Sequence, residues 1–210
     1  YTLVYTLSLH DALPISPFNL RPILGIKKDI NPKGYGLFLH AYSMLADMDI
    51  IDKNEAEEMA HFFFKWLIEN SSKGYSGYCW GYNYYWPKKD GNDVPPYMPS
   101  VVVTGFVARG LMAYYEKFKN EKVKDVLSSA TDFVLNDINL YKGEEGNCFS
   151  YTPLKKDLTV NANLLAAEIL AYADYINETN KYQNYIGSAI RFTLNNQNDD
   201  GSWYYSFDYN

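Results

Sequence analysis

Two charged residues stand at matching places in a repeated part of this chain. Arg109 and Glu168 each fall midway along an apolar stretch that reads as a buried helix. A carboxylate in that setting has two uses. Paired with the guanidinium it is a structural ion pair; unpaired, burial lifts its pKa toward the range of a general acid or base. Asp199 and Asp200 are further candidates, as cyclase-type acids or a diphosphate-binding pair. The chain has neither a DxDD nor a DDxxD motif, however, and Asp-Asp-Gly is also an ordinary turn. Tyr151 is the remaining catalytic candidate, because sugar chemistry can be run by two carboxylates or by a tyrosine facing a carboxylate. No metal centre is expected: neither Cys79 nor Cys148 has a second Cys or a His at ligand spacing, and His10, His40 and His61 are scattered. No cofactor is expected either.

Around these candidates lie residues suited to holding a ligand. The chain carries 21 tyrosines and is 17% aromatic, more than a core alone requires. Trp80, Tyr82, Trp86, Tyr151 and Trp203 fall in loops, where a ring with a polar edge can stack on a sugar or line an isoprenoid cavity. Thr104, Asn161 and Asn163 sit in the first turns of otherwise apolar helices. Such groups need partners, either a ligand or the adjoining loops.

The elements that position these residues are repeats. Aligned without a gap, Pro99 to Asp137 and Leu158 to Asn196 set Ser100 on Thr159, Thr104 on Asn163, Leu111 on Leu170, Ala130 on Ala189 and Phe133 on Phe192. A looser third copy comes first, with Ala60 and Phe63 where Ala130 and Phe133 stand. Each copy reads as two helices. In the first, Leu37, Phe38, Ala41, Met44, Leu45 and Met48 form a stripe at helical spacing expected to face the core. Asp52 with Glu55 makes a capping box, and Ser100 and Thr159 are N-caps. Val123, Val126, Leu127, Ala130 and Phe133, and then Tyr185, Ile186, Ala189 and Phe192, mark inward faces of amphipathic outer helices. Turns within each pair are short and those between pairs are long, so the long loops gather at one end, beside the N-termini of the inner helices. The expected fold is all-α: three helical hairpins at about 33–69, 100–136 and 159–196, forming part of an (α/α)6 toroid with aromatic loops on one face. Three hairpins make half of a six-hairpin ring, so an exposed edge is expected too.

The loops repeat a Gly-aromatic theme, in Gly77-Tyr78-Cys79-Trp80, Gly146-Asn147-Cys148-Phe149 and Gly201-Ser202-Trp203. The last, with Phe192 and Gln197, resembles the QW repeat of squalene and oxidosqualene cyclases, where Gln and Trp brace helix ends. That resemblance implies a structural role for Gln197 and Trp203. Asn31-Pro32-Lys33-Gly34, Val103-Thr104-Gly105-Phe106-Val107, Asn161-Ala162-Asn163-Leu164-Leu165 and Asp200-Gly201-Ser202-Trp203 together resemble a bacterial family with a terpenoid-cyclase-like toroid associated with exopolysaccharide biosynthesis. The resemblance implies a saccharide or lipid-linked small-molecule ligand in a toroid cleft, with a prenyl-diphosphate enzyme and a non-catalytic scaffold as alternatives. The chain departs from the family at Tyr85-Trp86-Pro87, where members carry a carboxylate. Residues 1–16 resemble a translated sequencing adapter, which leaves 17–210 as an incomplete toroid domain.

Other classes are excluded or disfavoured. A net charge of -6, with no concentrated basic run, argues against a nucleic-acid partner. No stretch is long and apolar enough to read as a membrane span. Cys79 and Cys148, expected to be free thiols rather than a disulfide, point to a reducing compartment and hence a cytoplasmic location.

Overall fold

A computed structural model of the chain describes residues 18–25, 28–48, 50–87, 93–154 and 156–207. The expected leader at 1–16 lies outside the described residues. The chain divides into two units, Tyr1–Ile30 and Asn31–Asn210. In the first, residues 21–25 form a turn in which the Leu24 N–H donates to the Leu20 carbonyl at 3.1 Å.

The second unit is largely helical. Its described residues form α1 (Pro32–Leu45), α2 (Lys53–Glu69), α3 (Val101–Phe118), α4 (Lys122–Asp132), α5 (Val160–Ile176) and α6 (Gln183–Asn195), with a π turn, Phe133–Asp137, extending α4. Local chemistry accounts for several starts. Asn31, Asp52 and Ser100 accept from Lys33, Glu55 and Val103 N–H groups at 3.0, 3.1 and 3.1 Å, and Pro32 occupies a first-turn position where its missing N–H costs nothing. Thr159 does not cap α5 with its side chain. Its hydroxyl donates instead to Asp157 at 3.0 Å, and the Val160 N–H is taken by the Tyr205 carbonyl at 3.3 Å.

Two layers result. Helices α1, α3 and α5 pack successively against one another, while α2 packs on α1, α4 on α5 and α3, and α6 on α5. Glycines set the closest approach: a Cβ on Gly36 would meet the Val107 Cα at 2.9 Å, and Gly110 lies directly under the Gly36 backbone. The inward faces of the outer helices are as expected, with Val123, Val126, Leu127 and Phe133 fully buried and Ala130, Ala189 and Phe192 nearly so. Each such apolar side chain removed from water contributes roughly 1.5–3 kcal/mol for the larger ones.

The unit is largely helical, as expected, and short strands organise its long loops. β1 (Leu140–Gly143) and β2 (Gly146–Phe149) form an antiparallel hairpin, and β3 (Leu158–Thr159) pairs antiparallel with β4 (Ser206–Phe207). The apolar stripe of α1, expected to face the core, points the other way. Leu37, Phe38, Met44 and Met48 are 46%, 52%, 49% and 44% exposed, whereas Gly36, Leu39 and Ser43 are buried. The glycine-mediated seat on α3 decides which side of α1 faces in.

The short turn between α5 and α6 is organised by Asp174. Buried to 3% exposure, its carboxylate accepts from the Thr179 hydroxyl at 2.6 Å and from the Lys181 and Tyr182 N–H groups at 2.8 and 2.9 Å. Burial acts to raise its pKa, but the hydrogen bonds from Thr179, Tyr182 and Lys181 outweigh it and hold the carboxyl below the usual range. A lowered folded-state pKa contributes stability that is present above the unfolded value, roughly 3.9, and is lost as pH falls through the folded value. Denaturant unfolding between pH 2 and pH 6 should therefore show a steeper acid loss in the native chain than in Asp174→Asn. Equal slopes would contradict this assignment.

Candidate functional site

The long loops are fastened by the repeat itself. In the first loop the Trp80 N–H donates to the Thr104 hydroxyl at 3.1 Å; in the second the Phe149 N–H donates to Asn163 Oδ1 at 3.0 Å. The Tyr78 N–H meets Ser129 Oγ at 3.2 Å, and the Asn147 N–H meets Ser188 Oγ at 3.1 Å. Inner and outer helices of each repeat thus hold equivalent points of the loop that precedes them. Gly77 and Gly146 lie directly against the outer-helix backbones at Ser129 and Ser188. The start of α3 is tied in the same way as that of α5, the Val101 N–H donating to the Tyr151 carbonyl at 3.1 Å.

Several predicted ligand residues are therefore braces. Thr104 and Asn163 are fully buried, and Asn163 Nδ2 also donates to the Ala189 carbonyl at 3.0 Å. Trp80 is 1% exposed, with its indole N–H on the Leu67 carbonyl at 2.9 Å. Trp203 donates to the Thr193 carbonyl at 2.8 Å and Gln197 to the Gly201 carbonyl at 2.8 Å, while the Trp203 ring remains 42% exposed. Tyr82, Trp86 and Tyr151 form one aromatic cluster, the Trp86 ring 6.4 Å from Tyr82 and 5.8 Å from Tyr151. Tyr151 is 7% exposed, and burial first, then neighbouring Tyr82, pushes its phenol far above the ordinary tyrosine value. A phenol held protonated in that way is not a base or nucleophile near neutral pH. Asp199 is exposed, and Asp200 accepts from the Ser202 N–H and hydroxyl at 2.9 and 2.6 Å, as a plain turn does. The hydrogen bonds of Asp200 go to Ser202, not to the Arg109–Glu168 cluster.

That cluster forms where α3 faces α5. Arg109 Nε donates to both oxygens of Glu168, at 2.8 and 3.0 Å, and the Tyr172 hydroxyl donates to Glu168 Oε1 at 2.7 Å. The pair is not sequestered: the Arg109 and Glu168 side chains are 39% and 24% exposed. The hydrogen bond to Glu168 raises the Arg109 pKa, and burial followed by that same carboxylate pushes the Tyr172 phenol up to about 12. Phe106 lies one turn before Arg109, with the Arg109 guanidinium 5.1 Å and the Lys33 ammonium 4.1 Å from its ring centre. Phe106, Arg109, Asn161, Leu164, Leu165 and Glu168 line an open cleft of about 460 Å³. Asn161, alone among the three first-turn polar residues, is exposed there. Positions 106 and 109, and 161, 164, 165 and 168, follow helical spacing, so each set shares one side of its helix.

Sequence reading missed Tyr172 and Phe106, although each stands at helical spacing from a flagged charge: four residues after Glu168 and three before Arg109. It also missed Asp157, 8% exposed, which accepts from the Tyr151 N–H at 3.0 Å and organises the second loop. Cys79 and Cys148 are free and buried. Burial, with Asp137 near one and Asp157 near the other, pushes both thiols up to about 12, so neither is reactive. Among the described residues no three His, Cys, Asp or Glu side chains lie close enough to share a metal, and no helix is long and apolar enough to cross a membrane. A second cleft of about 280 Å³, lined by Val160, Asn161, Leu164, Thr193 and the Trp203–Tyr205 rings, adjoins the first through Asn161 and Leu164. Compared with known proteins, the chain matches no family model, and none of the curated proteins is significantly similar to it.

Proposed function

We propose that the chain is part of an α/α toroid that binds a saccharide in the α3–α5 cleft, as a cytoplasmic component of polysaccharide biosynthesis. The observation that carries the reading is the half-exposed Arg109–Glu168–Tyr172 network beside Phe106 and Asn161. A sugar hydroxyl is both donor and acceptor, and this surface offers a carboxylate acceptor, guanidinium and amide donors and an apolar ring within one cleft. Glu168, already bonded by Arg109 and Tyr172, serves as an acceptor for hydroxyls; binding is the function assigned, with no catalytic step. An isoprenoid ligand is favoured only by the adjoining apolar cleft around Trp203.

Isothermal titration of the chain with cellotriose, maltotriose, a hexuronate trisaccharide and farnesyl diphosphate separates these readings. At least one trisaccharide should bind, and Glu168→Ala should weaken it about 10- to 100-fold, the loss expected for hydrogen bonds to a charged group. Tyr172→Phe should have a smaller effect of the same sign. Binding of farnesyl diphosphate alone, or a saccharide affinity indifferent to Glu168, would overturn the proposal.

A further inference from the structure

The α3–α5 cleft holds more positive charge than its one carboxylate offsets. Glu168 is the acid among the residues that line it, and Arg109 reaches that acid through Nε alone, at 2.8 and 3.0 Å. The remaining N–H donors of the guanidinium meet no second carboxylate among the described residues; their polar neighbour is the Tyr172 hydroxyl. Because the side chain is 39% exposed and lines the cleft, a ligand can reach them.

Lys33 is the second cation. It stands in the first turn of α1, half-buried, with its ammonium 4.1 Å from the Phe106 ring centre and no ion-pair partner among the described residues. The Arg109 guanidinium lies 5.1 Å from the same ring centre, so one aromatic side chain of the cleft gathers both charges. Asp157, the buried acid of the loop before α5, is occupied elsewhere: it accepts from the Tyr151 N–H and the Thr159 hydroxyl, each at 3.0 Å. With Glu168 ionised, two positive charges stand against one negative. Partial burial leaves them less screened than free surface charges.

We propose that the cleft selects an acidic sugar, one that carries a single carboxylate as a hexuronate does. The inference rests on the saccharide reading of this cleft and names the class of sugar. The terminal nitrogens of Arg109 form a planar fork that matches the two oxygens of a carboxylate, and Lys33 supplies the second positive charge. Glu168 and Asn161 are then left for the sugar hydroxyls, and Leu164 for its apolar face. One carboxylate balances the charge of the cleft. A phosphate brings about two negative charges, and the second would stand against Glu168 without a cation to offset it.

Isothermal titration with matched probes tests the selection: cellotriose against glucuronyl-cellobiose and maltotriose against glucuronyl-maltose, with the methyl ester of each acid and the 6-phosphate of each neutral sugar. In a series that binds, the acid should bind about 10- to 100-fold more tightly than the neutral sugar or the ester, the gain expected when hydrogen bonds reach a charged group. The margin should narrow as salt is raised. Arg109→Lys keeps the charge and loses the fork, and should cut the margin about 10-fold. Lys33→Gln should cut it about threefold, both variants keeping the native helical circular dichroism. Equal affinity for acid and neutral sugar, or a margin untouched in both variants, would overturn the selection and leave the saccharide reading standing. Tighter binding of a 6-phosphate would overturn it in favour of a phosphorylated sugar, and binding of none of the probes would overturn both.

Discussion

Replacing Gly146 with alanine should destabilise the protein by roughly 3–5 kcal/mol, while the same replacement at Gly187 should stabilise it by about 0.5–1 kcal/mol. Gly146 opens β2 at φ +130°, a conformation that residues with a Cβ rarely adopt. An added methyl would also fall 2.5 Å from the Phe192 N and against the Ser188 carbonyl, both backbone atoms of α6 that cannot rotate aside. The hairpin would have to lift off α6, losing the Asn147–Ser188 bond and exposing Cys148 and Phe192. Gly187 is a helix-interior position whose nearest outside atom is the flexible end of Arg191 at 4.0 Å. There alanine meets nothing and removes conformational freedom from the unfolded chain. Urea denaturation of the two variants against the native chain gives the signs directly. A mild effect at Gly146 would mean that the loop is not seated as described.

The second large effect is at Asn163. Asn163→Leu should cost roughly 2–4 kcal/mol, because it strands the Phe149 N–H in the interior and removes the amide bond to the Ala189 carbonyl, which keeps only the Thr193 hydroxyl and its helical partner. Thr104→Val should cost less, about 1–3 kcal/mol, since it strands chiefly the Trp80 N–H. Asn161→Leu, two residues from Asn163 but exposed in the cleft, should leave stability nearly unchanged. Thermal or urea unfolding of the three variants should rank them in that order. A stability loss at Asn161 as large as at Asn163 would contradict the division between brace and cleft.

These two positions show what the sequence made legible. The ungapped register of the later hairpins put Thr104 on Asn163, and in the structure both side chains accept a loop N–H. What the register could not tell was whether such an acceptor served a loop or a ligand. A side-chain type states what a group can bond, not which backbone arrives beside it. The burial of Trp80 and Tyr151 was not legible for the same reason, because an aromatic loop residue suits a cleft and a core equally until the loop's path is known. The stripe on α1 failed differently. Periodicity identifies the apolar side of a helix, but Gly36 and Gly110 give α1 and α3 a closer backbone approach on the other side, and that contact decided the orientation. The β1–β2 hairpin had no asparagine–glycine signal, since its turn is Glu144-Glu145 between Gly143 and Gly146. The Arg109–Glu168 pair was legible, because equivalent positions on neighbouring helices of a repeat are brought face to face.

Of the two surfaces that could hold the ligand, we assign it to the α3–α5 cleft and not to the aromatic loop face. Titrating the best-bound trisaccharide into isotope-labelled protein and following backbone and side-chain resonances locates the site. Shifts are expected at Phe106, Arg109 Nε–H, the Asn161 side-chain amide and Tyr172, with the indole N–H of Trp80 unmoved. Shifts confined to Trp203, Tyr204 and Tyr205, or none with any saccharide, would contradict the assignment.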